Sequence, residues 1–209
     1  MTILLATTSK HKAREIAELL SGLPDLNLET LADYPATEAP EEDGETMAEN
    51  ARIKAQFYAA HFGKTVLADD SGLEVDALNG EPGVHSARWV EGSDNDRNRA
   101  LLDKISEIEP ENRGARYRCA LCLASPTEII YETEGTCEGA IALLAEGFNG
   151  FGYDSIFQIT LATGAESQWV GQTLGQALPE VKASVSHRSS AVRLLAAGLI
   201  RRNFLASNR

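Results

Sequence analysis

Val66-Leu67-Ala68-Asp69-Asp70-Ser71-Gly72-Leu73-Glu74-Val75-Asp76 is an apolar run that breaks into two adjacent carboxylates and then Ser-Gly. The pattern reads as a strand that ends at a cleft with its acids facing the opening. Two anions side by side repel, so each is costly unless a cation, a proton or solvent sits between them. A metal-assisted hydrolase needs such a pair. An ordinary strand-ending turn has the same composition, because Asp, Ser and Gly also form turns. Beyond the break, Leu73, Val75 and Ala77 alternate as a second strand would.

Toward the N-terminus, Ile3 to Ala6 reads as a buried strand and Ala13 to Leu20 as an amphipathic helix with Ile16, Leu19 and Leu20 inward. Between them lies Thr7-Thr8-Ser9-Lys10-His11-Lys12. A strand, a hydroxyl-rich basic turn and a helix start suit phosphate, since unpaired N–H groups, the helix dipole and lysines converge there. A capped helix start with solvated lysines has the same wording, and the stretch is not a Walker A loop. An acid- and Pro-rich connection then ends in Pro40-Glu41-Glu42-Asp43-Gly44-Glu45. Thr46 and Glu49 form a capping box, so a helix follows to about Phe62. Acids ahead of a helix complement its dipole, but Glu42 can also join Asp69 and Asp70 around a magnesium ion.

Toward the C-terminus, Asp94 to Ile108 reads as a helix with Leu101, Leu102 and Ile105 on one side. Arg116 to Leu123 reads as a strand that Pro126-Thr127 turns into an antiparallel partner through Ile129, Ile130 and Tyr131. Gly147-Phe148-Asn149-Gly150-Phe151-Gly152-Tyr153-Asp154 is a loop whose backbone can approach a ligand closely while a ring stacks on a planar base. A turn with aromatic plugs is the other reading. Lys182 precedes Ser186-His187-Arg188, where Ser186 is a plausible N-cap of a last helix carrying Leu194, Leu195 and Leu199. Cations in a first turn oppose the helix dipole, which makes sense opposite an anion or a base carbonyl.

The chain has 209 residues, enough for one or two compact units burying ~70% of the unfolded surface. Its net charge of −12 and pI of about 4.8 argue against a partner that is duplex nucleic acid or an anionic membrane. The start of the chain has no basic region and only a short apolar run, unlike a secretory signal, and no stretch reaches eighteen apolar residues. Cytoplasmic location is the expectation. Cys119-Ala-Leu-Cys122 matches C-x-x-C, but residues three apart in a strand face opposite ways and no second pair completes a zinc site. Buried thiols are expected.

The order of these stretches resembles the inosine triphosphate pyrophosphatase, or Ham1-like, family. The resemblance rests on Leu5-Ala6-Thr7-Thr8-Ser9-Lys10-His11-Lys12, Glu42-Asp43-Gly44 with Glu49-Asn50-Ala51, and Ala68-Asp69-Asp70-Ser71-Gly72-Leu73. Pro82-Gly83 with Ser86-Ala87-Arg88, Gly150-Phe151-Gly152-Tyr153-Asp154 and Ser186-His187-Arg188 complete it. It implies an α/β fold in a single domain over residues 1–209: an elongated mixed sheet flanked by helices, two lobes with a central cleft, and a homodimer. It also implies Mg²⁺-dependent cleavage of ITP, dITP and XTP to the monophosphate and pyrophosphate. By position, Thr7, Thr8, Ser9, Lys10, His11 and Lys12 match the family's phosphate-binding turn, and Glu42 and Asp70 its metal and catalytic carboxylates. Lys12 is carried with Asp70 as catalytic, Asp70 matches the general base, and Ser71 a substrate contact. Phe151, Gly152, Tyr153, Asp154, Lys182, His187 and Arg188 match its nucleotide-binding residues. Asp69 is left as a supporting carboxylate.

The chain departs from the family wording at Thr8-Ser9, where Gly-Asn is usual, at His11, and at Ser155, where Pro is usual. Segment 164–181 lacks the acidic-leucine wording expected before Lys182. A Maf-like pyrophosphatase acting on other nucleotides is a rival, but its Ser-Pro-Arg-Arg opening is absent. A nucleotide-binding regulator without activity is another, and the joint presence of Glu42, Asp69, Asp70 and Lys12 argues against it.

Overall fold

The computed structural model describes residues 1–202 and 204. In chain order the elements are β1 (Thr2–Leu5), α1 (Lys10–Leu20), β2 (Asn27–Thr30), α2 (Met47–Phe62), β3 (Val66–Val75), α3 (Asp94–Lys104), β4 (Gly114–Ala124), β5 (Ile129–Ile141), β6 (Phe157–Ile159), α4 (Pro179–Val185) and α5 (His187–Arg201). The strands form one sheet in the order β2-β1-β3-β4-β5-β6. β1 lies parallel to both β2 and β3, while β5 and β6 are antiparallel, so the sheet is mixed and the fold is α/β. Parallel neighbours need a crossover, which α1 and α2 supply. The four residues between β4 and β5 are too few for one; Ser125 N–H closes on Glu128 O at 2.8 Å and makes the pair a hairpin.

The chain divides into two compact units, to each of which β3, β4 and β5 contribute residues. The first unit comprises Met1 to Asp70, Cys119 to Gly135 and the described residues from Arg188 to the end of α5. Its core joins Ile3 and Leu5 of β1, Ile16 and Leu20 of α1, Leu67 of β3 and Ala191, Val192, Leu195 and Leu199 of α5. Ile16 and Leu20 meet it together because residues four apart share a helix face. Each such side chain contributes about 1.5–3 kcal/mol by leaving water. α2 starts at its capping box, Thr46 Oγ1 accepting the Glu49 N–H at 3.2 Å and Glu49 Oε2 the Thr46 N–H at 3.0 Å.

The second unit comprises Ser71 to Arg118 and Thr136 to His187, with a core that includes Leu73, Val75, Leu101, Ile105, Tyr117, Tyr153, Ile156 and Phe157. The buried Arg113 guanidinium donates to the carbonyls of Ile105, Ile108 and Ala142 at 2.9, 2.9 and 3.1 Å. That capture of carbonyls explains why α3 stops at Lys104 rather than reaching the expected Ile108.

Other boundaries also differ from the sequence reading. α1 begins at Lys10, three residues before Ala13, because Ser9 is its N-cap and accepts the Lys12 N–H at 3.4 Å. β3 does not break at Asp69-Asp70-Ser71-Gly72; it runs unbroken to Val75, and Ala77 belongs to a short 3-10 turn. β1 pairs with β3 only at Val66 and Leu67, so beyond the acids the strand is kept extended on its β4 side against the turn propensity of Asp, Ser and Gly. β5 extends to Ile141, and Lys182 sits on a helix of its own, α4. The three cysteines are free and buried, as expected.

Candidate active site

The first unit gathers a network of charges at the middle of β3. Asp69 and Asp70 are adjacent, and strand alternation sends them to opposite faces, so each meets different partners. Asp69 Oδ2 lies 3.1 Å from Lys12 Nζ on α1 and 3.6 Å from the Arg188 guanidinium at the start of α5. Arg188 also donates to Glu15, one helical turn along from Lys12. Asp70 Oδ1 lies 3.3 Å from Lys54 Nζ, and the same ammonium lies 2.9 Å from Glu42 Oε2. Asn50, fully buried on α2, donates to Asp70 Oδ2 at 3.4 Å and accepts the Gly44 N–H at 2.8 Å, bracing the segment that carries Glu42.

These surroundings push the two acids apart. Burial works to raise the Asp69 carboxyl, but Lys12, Arg188 and Lys54 together overcome it and bring its pKa from 3.8 down to about 2. For Asp70 burial prevails: with Glu42 and Asp69 adding repulsion, it holds the carboxyl above its ordinary value against the pull of Lys54 and Lys12. Lys54 is also buried, which disfavours its charge, yet Asp70, Asp69 and Glu42 keep its pKa above the usual value. The two neighbours thus differ: cations keep Asp69 ionised, whereas burial disfavours the charge of Asp70.

The donor set fits magnesium. Carboxylate oxygens of Glu42 and Asp70 already converge on one cation, the Lys54 ammonium. Among the described residues no three His, Cys, Asp or Glu side chains cluster as a closed metal cage would require. Mg²⁺ prefers one or two carboxylates completed by water and substrate phosphate, and these oxygens suit it.

In the second unit the glycine-aromatic stretch is a turn whose Gly147, Gly150 and Gly152 all have positive φ. At Gly150, with φ of +77°, a Cβ would stand 1.9 Å from Asp154 Oδ2, so only glycine lets the loop close on that carboxylate. Asp154 Oδ2 accepts the Phe151 N–H at 2.8 Å and Lys182 Nζ at 2.7 Å. The Lys182 ammonium also lies over the Phe151 ring, 4.4 Å from its centre. Asp94 Oδ2 takes the Gly152 N–H at 2.6 Å, and Asn98 Nδ2 donates to Gly152 O at 3.1 Å and to Ser155 Oγ at 2.9 Å. Ser155, one of the departures from the family wording, thereby ties the loop to α3.

Of the residues singled out from sequence, the structure brings together Lys12, Asp69, Asp70, Glu42 and Arg188 in the first unit, and Phe151, Asp154 and Lys182 in the second. Thr7 accepts the Ser9 N–H at 3.2 Å and Ser9 caps α1, whereas Thr8, Lys10 and His11 are exposed. Ser71 lies within β3. Tyr153 is a core side chain whose hydroxyl donates to Ser86 O at 3.0 Å, so its ring is an aromatic plug. His187 stacks on Tyr117. Arg188, matched by position to a nucleotide-binding residue, is engaged with Asp69 and Glu15. Sequence reasoning missed Lys54 and Glu15 and gave Asn50 no role. Asn50 and Lys54 are four apart on α2 and so share a face, and the capping box that sets the helix phase was the available signal.

Among the described residues no helix is long and apolar enough to cross a membrane. The Ham1 family pattern matches residues 3–198. A dITP/XTP pyrophosphatase of Exiguobacterium sp. is 43% identical over 202 residues, covering 96% of this chain and 97% of that protein. One from Listeria monocytogenes is 40% identical, covering 95% and 94%. The solved Ham1 protein of Staphylococcus aureus superposes with a TM-score of 0.82 at 35% identity, over 97% of this chain and 100% of that one. A HAM1 protein from Coxiella burnetii gives 0.83 at 32%, over 96% and 99%. Pattern, sequence and backbone agree over nearly the whole length, and the chain belongs to the Ham1 family.

Proposed function

We propose that this chain hydrolyses deaminated purine nucleoside triphosphates, dITP, ITP and XTP, to the nucleoside monophosphate and pyrophosphate. The observation that carries the reading is the charge network on β3: one lysine bridging Glu42 and Asp70 beside a second lysine paired with Asp69. The similarity to dITP/XTP pyrophosphatases at 40% identity and above supports the substrate class.

A triphosphate carries about four negative charges near neutral pH, so charge neutralisation and positioning come before a strong base. Glu42 and Asp70 would hold Mg²⁺, which would neutralise phosphate oxygens and make a bound water more acidic. Lys12 and the N–H groups opening α1 hold phosphate. Asp70 takes the proton of the attacking water, while Arg188 and Lys12 keep Asp69 ionised as their counter-charge.

The second unit reads the base. Phe151 offers a ring face for stacking, and Lys182 and His187 present donors to a 6-oxo purine. Adenine has an amino donor at that position, and donor facing donor costs several kcal/mol in a buried site. The family likeness further supports a homodimer, which sedimentation equilibrium tests: a monomer at micromolar concentration would overturn it.

The deciding experiment is pyrophosphate release across ITP, dITP, XTP, ATP and GTP with Mg²⁺ and with EDTA. Release from the first three, far faster than from ATP or GTP and stopped by EDTA, is the expected result. Equal rates on all five would sink the specificity, and orthophosphate as the sole primary product would sink the reaction.

A further inference from the structure

Tyr117, on β4, touches two elements assigned to the base. Its ring lies nearly parallel to the His187 imidazole, with centres 4.6 Å and planes 13° apart, and Phe157 closes on it at 4.7 Å and 46°. Its hydroxyl accepts the Tyr153 N–H at 3.1 Å. Tyr117 and His187 are both buried, so neither ring reorients without disturbing its neighbours.

The arrangement has a counterpart at Phe151 and Lys182. Asp154 holds the Phe151 N–H with the same carboxylate oxygen that pairs with Lys182. Tyr117 holds the Tyr153 N–H and packs its ring on His187. Two loop amides, separated only by Gly152, are thus each tied through a single side chain to one of the two donors that read the base. Between them, the Gly152 N–H is taken by Asp94. An aromatic residue kept for packing alone needs no hydroxyl. Here a phenylalanine would strip a buried N–H of its acceptor, and an aliphatic residue would also release the imidazole plane.

We propose that Tyr117 is a positioning residue for purine selection, fixing the His187 ring and the Gly152-Tyr153 backbone in one relative geometry. The proposal rests on the base-reading role of the second unit. Substrate discrimination then depends on a side chain that need not touch the base, because a donor displaced by a fraction of an ångström no longer meets the carbonyl oxygen along its lone pairs.

The test uses the full chain with Mg²⁺ and compares Tyr117→Phe, Tyr117→Leu and His187→Ala by steady-state kinetics on ITP and ATP. Tyr117→Phe, which keeps the stack and the packing, should raise KM for ITP about tenfold with kcat within about twofold. Tyr117→Leu should lower the ITP-to-ATP ratio of kcat/KM by about tenfold or more and shift the His187 ring-proton resonances, which Tyr117→Phe leaves in place. If Tyr117→Leu does not fold, Tyr117→Phe decides alone. A His187→Ala enzyme with an unchanged ITP-to-ATP ratio would remove the base-reading role itself. A lowered ratio in His187→Ala, with unchanged KM in Tyr117→Phe and an unchanged ratio in any folded Tyr117→Leu, would overturn the proposal alone.

Discussion

Asp69→Asn removes one negative charge from a side chain that is 1% exposed while keeping its shape. The Asp69 carboxyl titrates near 2 in the folded chain and near 3.8 when unfolded. At roughly 1.4 kcal/mol per pH unit, that gap is worth about 2 kcal/mol of folding stability. A depressed carboxylate stabilises the fold fully above its unfolded pKa and loses that contribution as pH falls through the folded one. The contribution is therefore complete at pH 5 and above, and roughly half gone at pH 3. Loss of the charge also leaves Lys12 and Arg188 beside a neutral amide, so the total cost at pH 7 is about 3–5 kcal/mol. The assay is urea denaturation followed by tryptophan fluorescence, with chelator present, at pH 7, 5, 4 and 3. Wild type and Asp69→Asn should differ by the same amount at pH 7 and 5, and the difference should shrink by about 1 kcal/mol at pH 3. A difference independent of pH over that range would refute the assignment of Asp69 as the buried counter-charge of Lys12 and Arg188.

Asp70→Asn should lower kcat by about 10²–10⁴-fold while ITP still binds by calorimetry; an active variant would remove Asp70 as the base. Lys54→Met leaves Glu42 and Asp70 facing each other without a cation, so it should lower Tm in metal-free buffer and regain part of the loss on addition of Mg²⁺. Equal melting with and without Mg²⁺ would show that the two carboxylates do not share a cation. Burial pushes the thiols of Cys119, Cys122 and Cys137 up to about 12. Iodoacetamide at pH 8 should therefore leave all three unmodified in the folded protein and alkylate all three in urea, as intact mass spectrometry would report; rapid native alkylation would contradict their burial.

The site was legible wherever its signal lies within a few residues. The Thr46–Glu49 capping box placed the start of α2, because a cap and the group it satisfies are one turn apart. The glycines of 147–154 announced a loop, and the structure shows that it closes on Asp154, where a side chain at Gly150 would collide with that carboxylate. The family wording supplied the acids and the lysine of the opening turn. The roles of those residues were less legible, as Tyr153 illustrates: the motif left open whether its ring faces a ligand or plugs the turn, and the structure packs it in the core.

By itself the sequence determined individual strands and helices through periodicity and caps, a carboxylate pair at Asp69-Asp70 and a glycine-aromatic loop, and the resemblance of its motif order to the Ham1 family implied the α/β fold. Only the tertiary structure decided that β3 runs through its acids without turning, because that depends on a neighbouring strand, β4, brought alongside from later in the chain. It also decided which cation each acid receives. Lys54 reaches Asp70 from 16 positions away, and Arg188 reaches Glu15 from 173. Such partners are set by sheet register and by which helix face turns inward, and the ionisation of two adjacent aspartates then diverges because their neighbours come from different parts of the chain.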